Sequence, residues 1–272
     1  MLSLILLLIS IIAGVLGTLL GLGGGIIVVP ALTLLFNVDI RYAVAASLVS
    51  IIATSSSGAA VLLKKNLTNI RVASVLELGT VAGALTGFFI STHISAKWLF
   101  LSFGFFLFLC SFLILKKRED HISKDDHPWS KKLKLSGHYV NDQGQTSHYQ
   151  VENIPFGMIS MYFAGILSAI LGIGSGIFKV IAMDNAMKLP IKVSTATSNF
   201  MIGVTAAASA GAYFIRGDIR PELASPVALG IIIGSWLGTK LLTKLSAILL
   251  RKIFTFVLFI VSLQMIMKGF KL

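Results

Sequence analysis

A chain of 272 residues that is 56% hydrophobic and 12% charged holds about half the charge of a typical soluble domain. Its formal charge of +12 would suit nucleic acid, but the basic residues cluster at the ends of apolar runs, where they meet headgroups and set orientation. The implied partner is therefore the lipid bilayer and not nucleic acid. Cys110 is the single cysteine, which excludes a disulfide framework and a thiol metal site.

In chain order, the apolar N-terminus lacks a basic n-region and runs on into a glycine cluster. It is read as a retained helix from Leu2 to Leu20, not a signal peptide. After the glycines comes a short apolar segment from Ile26 to Phe36. At 1.5 Å per residue it is about 18 Å long, short of the roughly 30 Å of hydrocarbon a span must cross. Long helices are predicted near residues 42–63, 72–92 and 97–115. The segment from Lys116 to Asn153 is hydrophilic, and its "GHYVNDQGQTSHYQV" alternates around "NDQG" as a hairpin would. A solvated linker is favoured over a ligand domain there. Its His121, His127, His138 and His148 lack metal-ligand spacing, and no cofactor is expected. The second half repeats the order near 156–171, 177–187, 193–215, 224–242 and 249–267. The domains are thus 1–115, a first transmembrane repeat; 116–153, a cytoplasmic linker; and 154–272, a second repeat.

The halves are a duplication. Residues 13–59 align without gaps to 164–210, a step of 151, which carries Gly21, Gly23 and Gly25 onto Gly172, Gly174 and Gly176. Ser47 falls on Ser198 and Thr54 on Thr205. Gly79, Gly83 and Gly87 fall on Gly230, Gly234 and Gly238, with a small indel placed near Arg71 and Arg220. The expected fold is an all-α polytopic helical membrane protein of two homologous repeats, each with four to five helices and a glycine-rich helix break. Five crossings per half puts Lys64, Lys65, Lys188, Lys192 and the Lys240–Lys252 cluster on the linker's side, and the positive-inside rule makes that side cytoplasmic. An odd count inverts the repeats, as in many secondary transporters; a count of eight spans remains the alternative.

A helix broken in lipid strands backbone N–H and C=O groups unless protein or cavity water satisfies them. Glycine lets a ligand approach that backbone, and the helix that follows aims its N–H groups and positive dipole end at the gap. "GLGGGIIVVP" and "GIGSGIFKV" thus read as twin anion cradles built on Gly23, Gly24, Gly25, Gly174, Ser175 and Gly176. Lys179 lies three residues past Gly176, where Val28 stands in the first repeat. It either snorkels to an interface or marks the substrate route. Ser47, Ser198 and Asn199 are the hydroxyl and amide candidates, drawn from a set that includes Ser50, Thr54, Thr195 and Thr205. Glu77 interrupts an apolar helix, as a proton carrier for coupling, a lysine's partner or an interfacial residue. "GTVAGALTG" and "GIIIGSWLG" are small-residue packing faces.

These residues, above all "KVSTATSNFMIGVTAAASA", resemble the TauE/SafE sulfite exporter family, also called the 4-toluene sulfonate uptake family, over essentially the whole chain. The resemblance implies a cytoplasmic-membrane transporter of sulfite, sulfonates or other small anions. Gly21, Gly23, Gly24, Gly25 and Pro30 carry its first signature; Gly172, Gly174, Gly176, Lys179, Thr197, Ser198 and Asn199 carry its second. Ser175 departs from an expected glycine and Ile181 from the equivalent of Pro30. Distantly related thiosulfate importers use membrane cysteines, which Cys110 alone does not provide. The reading is a secondary transporter of small anions, with export as its direction. An anion channel and a membrane sensor or accessory subunit are the alternatives. An enzyme is disfavoured by the lack of any acid–base or nucleophile constellation at helical spacing. Substrate identity, coupling ion and oligomeric state stay open at this level, as does the direction of transport beyond the preference for export.

Overall fold

The computed structural model describes residues 2–20, 24–64, 66–113, 128–140, 146–241 and 247–272. Gly21, Gly23, Lys65, His121, His127 and the "NDQG" tip lie outside them. The first repeat comprises α1 (Leu2–Leu20), α2 (Gly25–Pro30) continuing as a π-helical turn (Ala31–Leu35), α3 (Ile40–Lys64), α4 (Ile70–His93) and α5 (Ala96–Leu113). Between the repeats stand α6 (Pro128–Leu133) and the strands β1 (Gly137–Val140) and β2 (Thr146–Tyr149). The second repeat comprises α7 (Ile154–Leu171), α8 (Gly176–Ile181) with its own π-helical turn (Ala182–Ala186), α9 (Ile191–Ile215), α10 (Pro221–Leu241) and α11 (Ala247–Lys271).

Helix starts obey the sequence step closely. Gly25 and Gly176, Ala31 and Ala182, Ile40 and Ile191, Ile70 and Pro221, and Ala96 and Ala247 all stand 151 residues apart. The step survives past Arg71, so the small indel placed there leaves no net shift. Both short helices widen into a π-turn at matching residues although Pro30 is replaced by Ile181. The widening therefore belongs to the position in the fold and not to the proline ring.

Six of the helices (α3, α4, α5, α7, α9 and α10) are long and apolar enough to cross a membrane, among the described residues. Less than half of each such span is buried inside the protein, and Phe89, Phe105, Phe163, Trp236 and Phe256 face outward. In water such a surface would aggregate; in lipid it is solvated. The chain is an all-α, multi-pass membrane protein.

The repeats interlock. α1 runs beside α10 in the same direction, because added Cβ atoms at Gly230, Gly234 and Gly238 would fall 2.6, 2.1 and 2.9 Å from the carbonyl oxygens of Leu7, Ile11 and Val15. α4 runs beside α7 in the same way: Gly79, Gly83 and Gly87 stand against Met158, Tyr162 and Ile166 at 2.8, 2.0 and 2.5 Å. Backbones this close require glycine, and the two small-residue rows are packing faces as expected. α3 packs on α9 and α5 on α11. The last two run antiparallel, since Gly104 meets Ile266 while Gly269 meets Leu101.

The segment between the repeats forms the expected hairpin, with Gly137 paired to Tyr149 and Val140 to Thr146. Its described part is anchored to the bundle through a few buried residues while much of its surface stays exposed. Leu135, Tyr149 and Val151 are buried in one cluster with Val72 and Leu76 of α4, Met183, and Val193 of α9. Asn69 is the hinge of that contact. Its Oδ1 accepts the Val72 N–H and caps α4, while its Nδ2 donates to the Leu135 carbonyl (2.7 Å) and the Tyr149 hydroxyl (2.9 Å). Burial raises the pKa of the Tyr149 phenol, partly offset by the Asn69 bond.

Candidate functional site

The glycine breaks meet. A Cβ on Gly25 would lie 2.4 Å from the Gly172 carbonyl oxygen, so the start of α2 abuts the end of α7. Gly172 and Gly174 have φ of +64° and +80°, left-handed conformations that glycine adopts without a Cβ penalty. Gly172 also closes α7, its N–H bonding the Ser168 carbonyl. Gly23 lies outside the described residues. Gly24 packs under Ile231, whose Cδ1 would sit 2.2 Å from a Cβ there.

Ser47 and Ser198, equivalent in the two repeats, both serve the breaks. The Ser47 hydroxyl donates to the Gly172 carbonyl (2.7 Å) or the Val44 carbonyl (2.8 Å), and the Ser198 hydroxyl donates to the Gly176 carbonyl (3.2 Å). They satisfy the carbonyl side of the interruption. Asn199 turns instead toward α3, near Gly58. Ile51 and Ile202, another equivalent pair, close on the glycines: Ile51 Cδ1 would stand 2.8 Å from a Gly25 Cβ, and Ile202 Cγ2 2.9 Å from one on Gly174. The described glycines of the two breaks are thus packed by isoleucine.

Ser175 is the exception to this satisfaction. It takes a left-handed backbone (φ 45°, ψ 20°) where its neighbours are glycine. Its hydroxyl is buried and has no hydrogen-bond partner. A strained non-glycine residue and an unpaired buried hydroxyl each cost free energy, and both occur in one residue at the mouth of α8.

Lys179 is fully buried and is not a free cation. Its Nζ lies 3.7 Å from Glu77 Oε2 on α4 and donates to Thr205 Oγ1 on α9 at 2.5 Å. Thr205 in turn donates to Glu77 Oε1 at 2.5 Å, with the Met201 carbonyl at 2.9 Å as its other acceptor. One hydroxyl hydrogen cannot serve both, and the charged oxygen is the stronger acceptor. Glu77 Oε2 has no hydrogen-bond partner. Of the three roles the sequence leaves Glu77, that of a lysine's partner is observed. Thr205, present among the polar residues of α9 but not singled out, is the group that joins them. The repeats held one signal, though not of the pairing itself: Val28 and Ala228 occupy the positions equivalent to Lys179 and Glu77, so each charge stands out as lacking a counterpart in the other half.

An open cavity of about 780 Å³ lies elsewhere, between Asn37, Asp39, Tyr42, Arg220 and Glu222. None of the sequence-predicted residues lines it. No cluster of His, Cys, Asp and Glu fit to hold a metal occurs among the described residues.

Comparison with known proteins decides the kinship: the family described as sulfite exporter TauE/SafE matches residues 6–265. The chain belongs to the sulfite exporter TauE/SafE family. It is similar to the probable membrane transporter protein YunE of Bacillus subtilis, 28% identical over 97% of each chain. It is also similar to YdhB of the same organism, 24% identical over 91% of this chain and 93% of that one, and to MJ0441 of Methanocaldococcus jannaschii, 26% identical over 97% and 95%. Both carry the same description, probable membrane transporter protein. No solved structure matches the chain. With its family and the six apolar spans among its described residues, this TauE/SafE protein is a multi-pass membrane transporter.

Proposed function

We propose that the protein is a secondary transporter of small anions, sulfite or organosulfonates foremost, across the cytoplasmic membrane. The observation that carries the reading is Ser175: a strained, buried, unpaired hydroxyl where two helix interruptions touch, one turn before Lys179. An oxyanion accepts hydrogen bonds, so Ser175, the freed N–H groups of α8 and Lys179 offer it complementary donors. Gly24, Gly25, Gly174 and Gly176 let the anion approach the backbone, while Ser47 and Ser198 hold the carbonyls away. The antiparallel run of α5 and α11 and the like-directed pairs α1–α10 and α4–α7 support repeats that are inverted in the bilayer. Such symmetry suits alternating access around a central site.

The test is flux of a panel (sulfite, methanesulfonate, 4-toluenesulfonate, acetate, chloride) by purified protein in liposomes. Saturable uptake that is accelerated by the same anion on the far side is expected for at least one sulfur oxyanion. Flux linear in concentration without counter-transport would make the protein a channel, and no flux of any anion would remove the reading. Lys179→Met alone would strand Glu77 and cost about 3–5 kcal/mol, so Lys179→Met with Glu77→Gln is the informative variant. It should retain the wild-type elution volume and lose anion flux.

A further inference from the structure

The ion pair poses a problem that the anion-binding reading leaves unsolved. Lys179 is buried and already neutralised by Glu77, 3.7 Å away. A second anion brought to Lys179 would lie beside the Glu77 carboxylate in a poorly solvated interior, and like charges so placed exclude one another. The obstacle disappears if Glu77 takes up a proton.

The geometry gives that proton a place. Glu77 Oε1 is engaged by the Thr205 hydroxyl at 2.5 Å, whereas Oε2 is buried and has no hydrogen-bond partner. Titratable groups on the elements around Glu77 are few. Tyr162 on α7 is committed to Thr86 at 3.2 Å, and Tyr213 on α9 bonds Ser91 and the Ala169 carbonyl. Lys192 stands at the start of α9, and Asp184 in the π-turn that ends α8. Lys179 on α8 is the charge that reaches the carboxylate. Glu77 is also the more accessible partner, its side chain 10% exposed against 0% for Lys179.

Resting on the anion-transport reading above, we propose that Glu77 is a proton-binding site obligatorily linked to anion binding, so that one proton accompanies each monovalent anion. The accounting balances. An O–H bond forms at Glu77 Oε2, Lys179 keeps its proton and its charge, and the ion pair is exchanged for a Lys179–anion pair beside a neutral acid. The buried charge is zero before and after. Thr205 remains bonded to both side chains and holds them in place during the exchange. By linkage, proton binding strengthens anion binding by the same factor as anion binding strengthens proton binding.

The test uses the full-length protein in liposomes, voltage-clamped with potassium and valinomycin, with labelled methanesulfonate as probe. That anion keeps its single charge across the working range, so any pH effect lies in the protein; should another panel anion be moved and methanesulfonate not, that anion is the probe. A gradient of one pH unit should accumulate the anion toward the alkaline side by up to about tenfold, the limit for one proton per anion, and trapped pyranine should report proton entry with it. Glu77→Gln should keep downhill flux and lose both accumulation and the pyranine signal. Glu77→Asp, which keeps the acid, should retain accumulation. Wild-type flux without proton movement, or accumulation persisting in Glu77→Gln, would overturn the coupling and leave anion transport standing. Absence of flux for every panel anion would bring down the transport reading and the coupling with it.

Discussion

At the scale of single residues, two isoleucines pack the meeting of the breaks. Ile51 and Ile202 fill the space beside Gly25 and Gly174, and both are buried. If the meeting of the breaks is the anion's route, these side chains are its gate. Ile51→Ala with Ile202→Ala should increase anion flux and reduce its dependence on counter-substrate. Each truncation also leaves a cavity, with a stability loss of about 2–5 kcal/mol, so melting in detergent should be followed beside flux. Lower melting temperature with unchanged flux kinetics would place the route elsewhere. The Glu77–Thr205–Lys179 cluster acts at this same scale, but through charge: three side chains from three helices form one unit, in which losing either charge leaves the other unpaired until a bound anion or proton offsets it.

At the scale of elements, glycine rows set how closely helices approach. Gly83 of α4 lies against the Tyr162 backbone and Gly234 of α10 against the Ile11 backbone, where a Cβ would stand 2.0 and 2.1 Å from carbonyl oxygen. Backbone cannot yield as a flexible side-chain tip does. Gly83→Val and Gly234→Val should each destabilise by about 1–3 kcal/mol or more, the usual cost of overpacking, read as earlier thermal unfolding in detergent. Gly211 on α9 has nothing within 4 Å of an added Cβ. Gly211→Ala should therefore be neutral or stabilising, by up to about 1 kcal/mol from helix propensity. The same element logic explains the hairpin, which Asn69 ties to the N-terminus of α4.

At the scale of the whole molecule, the repeats exchange partners: the first helix of each half lies along the fourth helix of the other, and the third and fifth helices meet their own counterparts. Neither half can bury its packing faces alone, so the halves are expected to fold as one unit. The directions of the pairs put the hairpin and the turn after α9 at opposite ends of the bundle. In a Cys110→Ala background, Ser147→Cys on β2 and Gly217→Cys beyond α9 should react with a membrane-impermeant maleimide from opposite faces. Labelling of both from one face would rule out inverted repeats. Cytoplasmic reaction at Ser147→Cys is expected from the lysines clustered on that side.

The sequence alone determined what depends on local and periodic features. Hydropathy set the bilayer as solvent, the 151-residue step set the duplication, and the boundaries of the long helices followed to within four residues because apolar runs, glycine and proline act on the chain near them. Gly172 and Gly174 were legible as a break, since left-handed backbone favours glycine. Tertiary structure decided what depends on through-space neighbours. Nothing in the order of residues joins Glu77 to Lys179 across 102 positions, or chooses Thr205 over the other hydroxyls of α9 as their link. Whether a buried lysine is free or neutralised is fixed by which helices cross beside it, because charge interactions act over a few ångströms of space and are indifferent to distance along the chain.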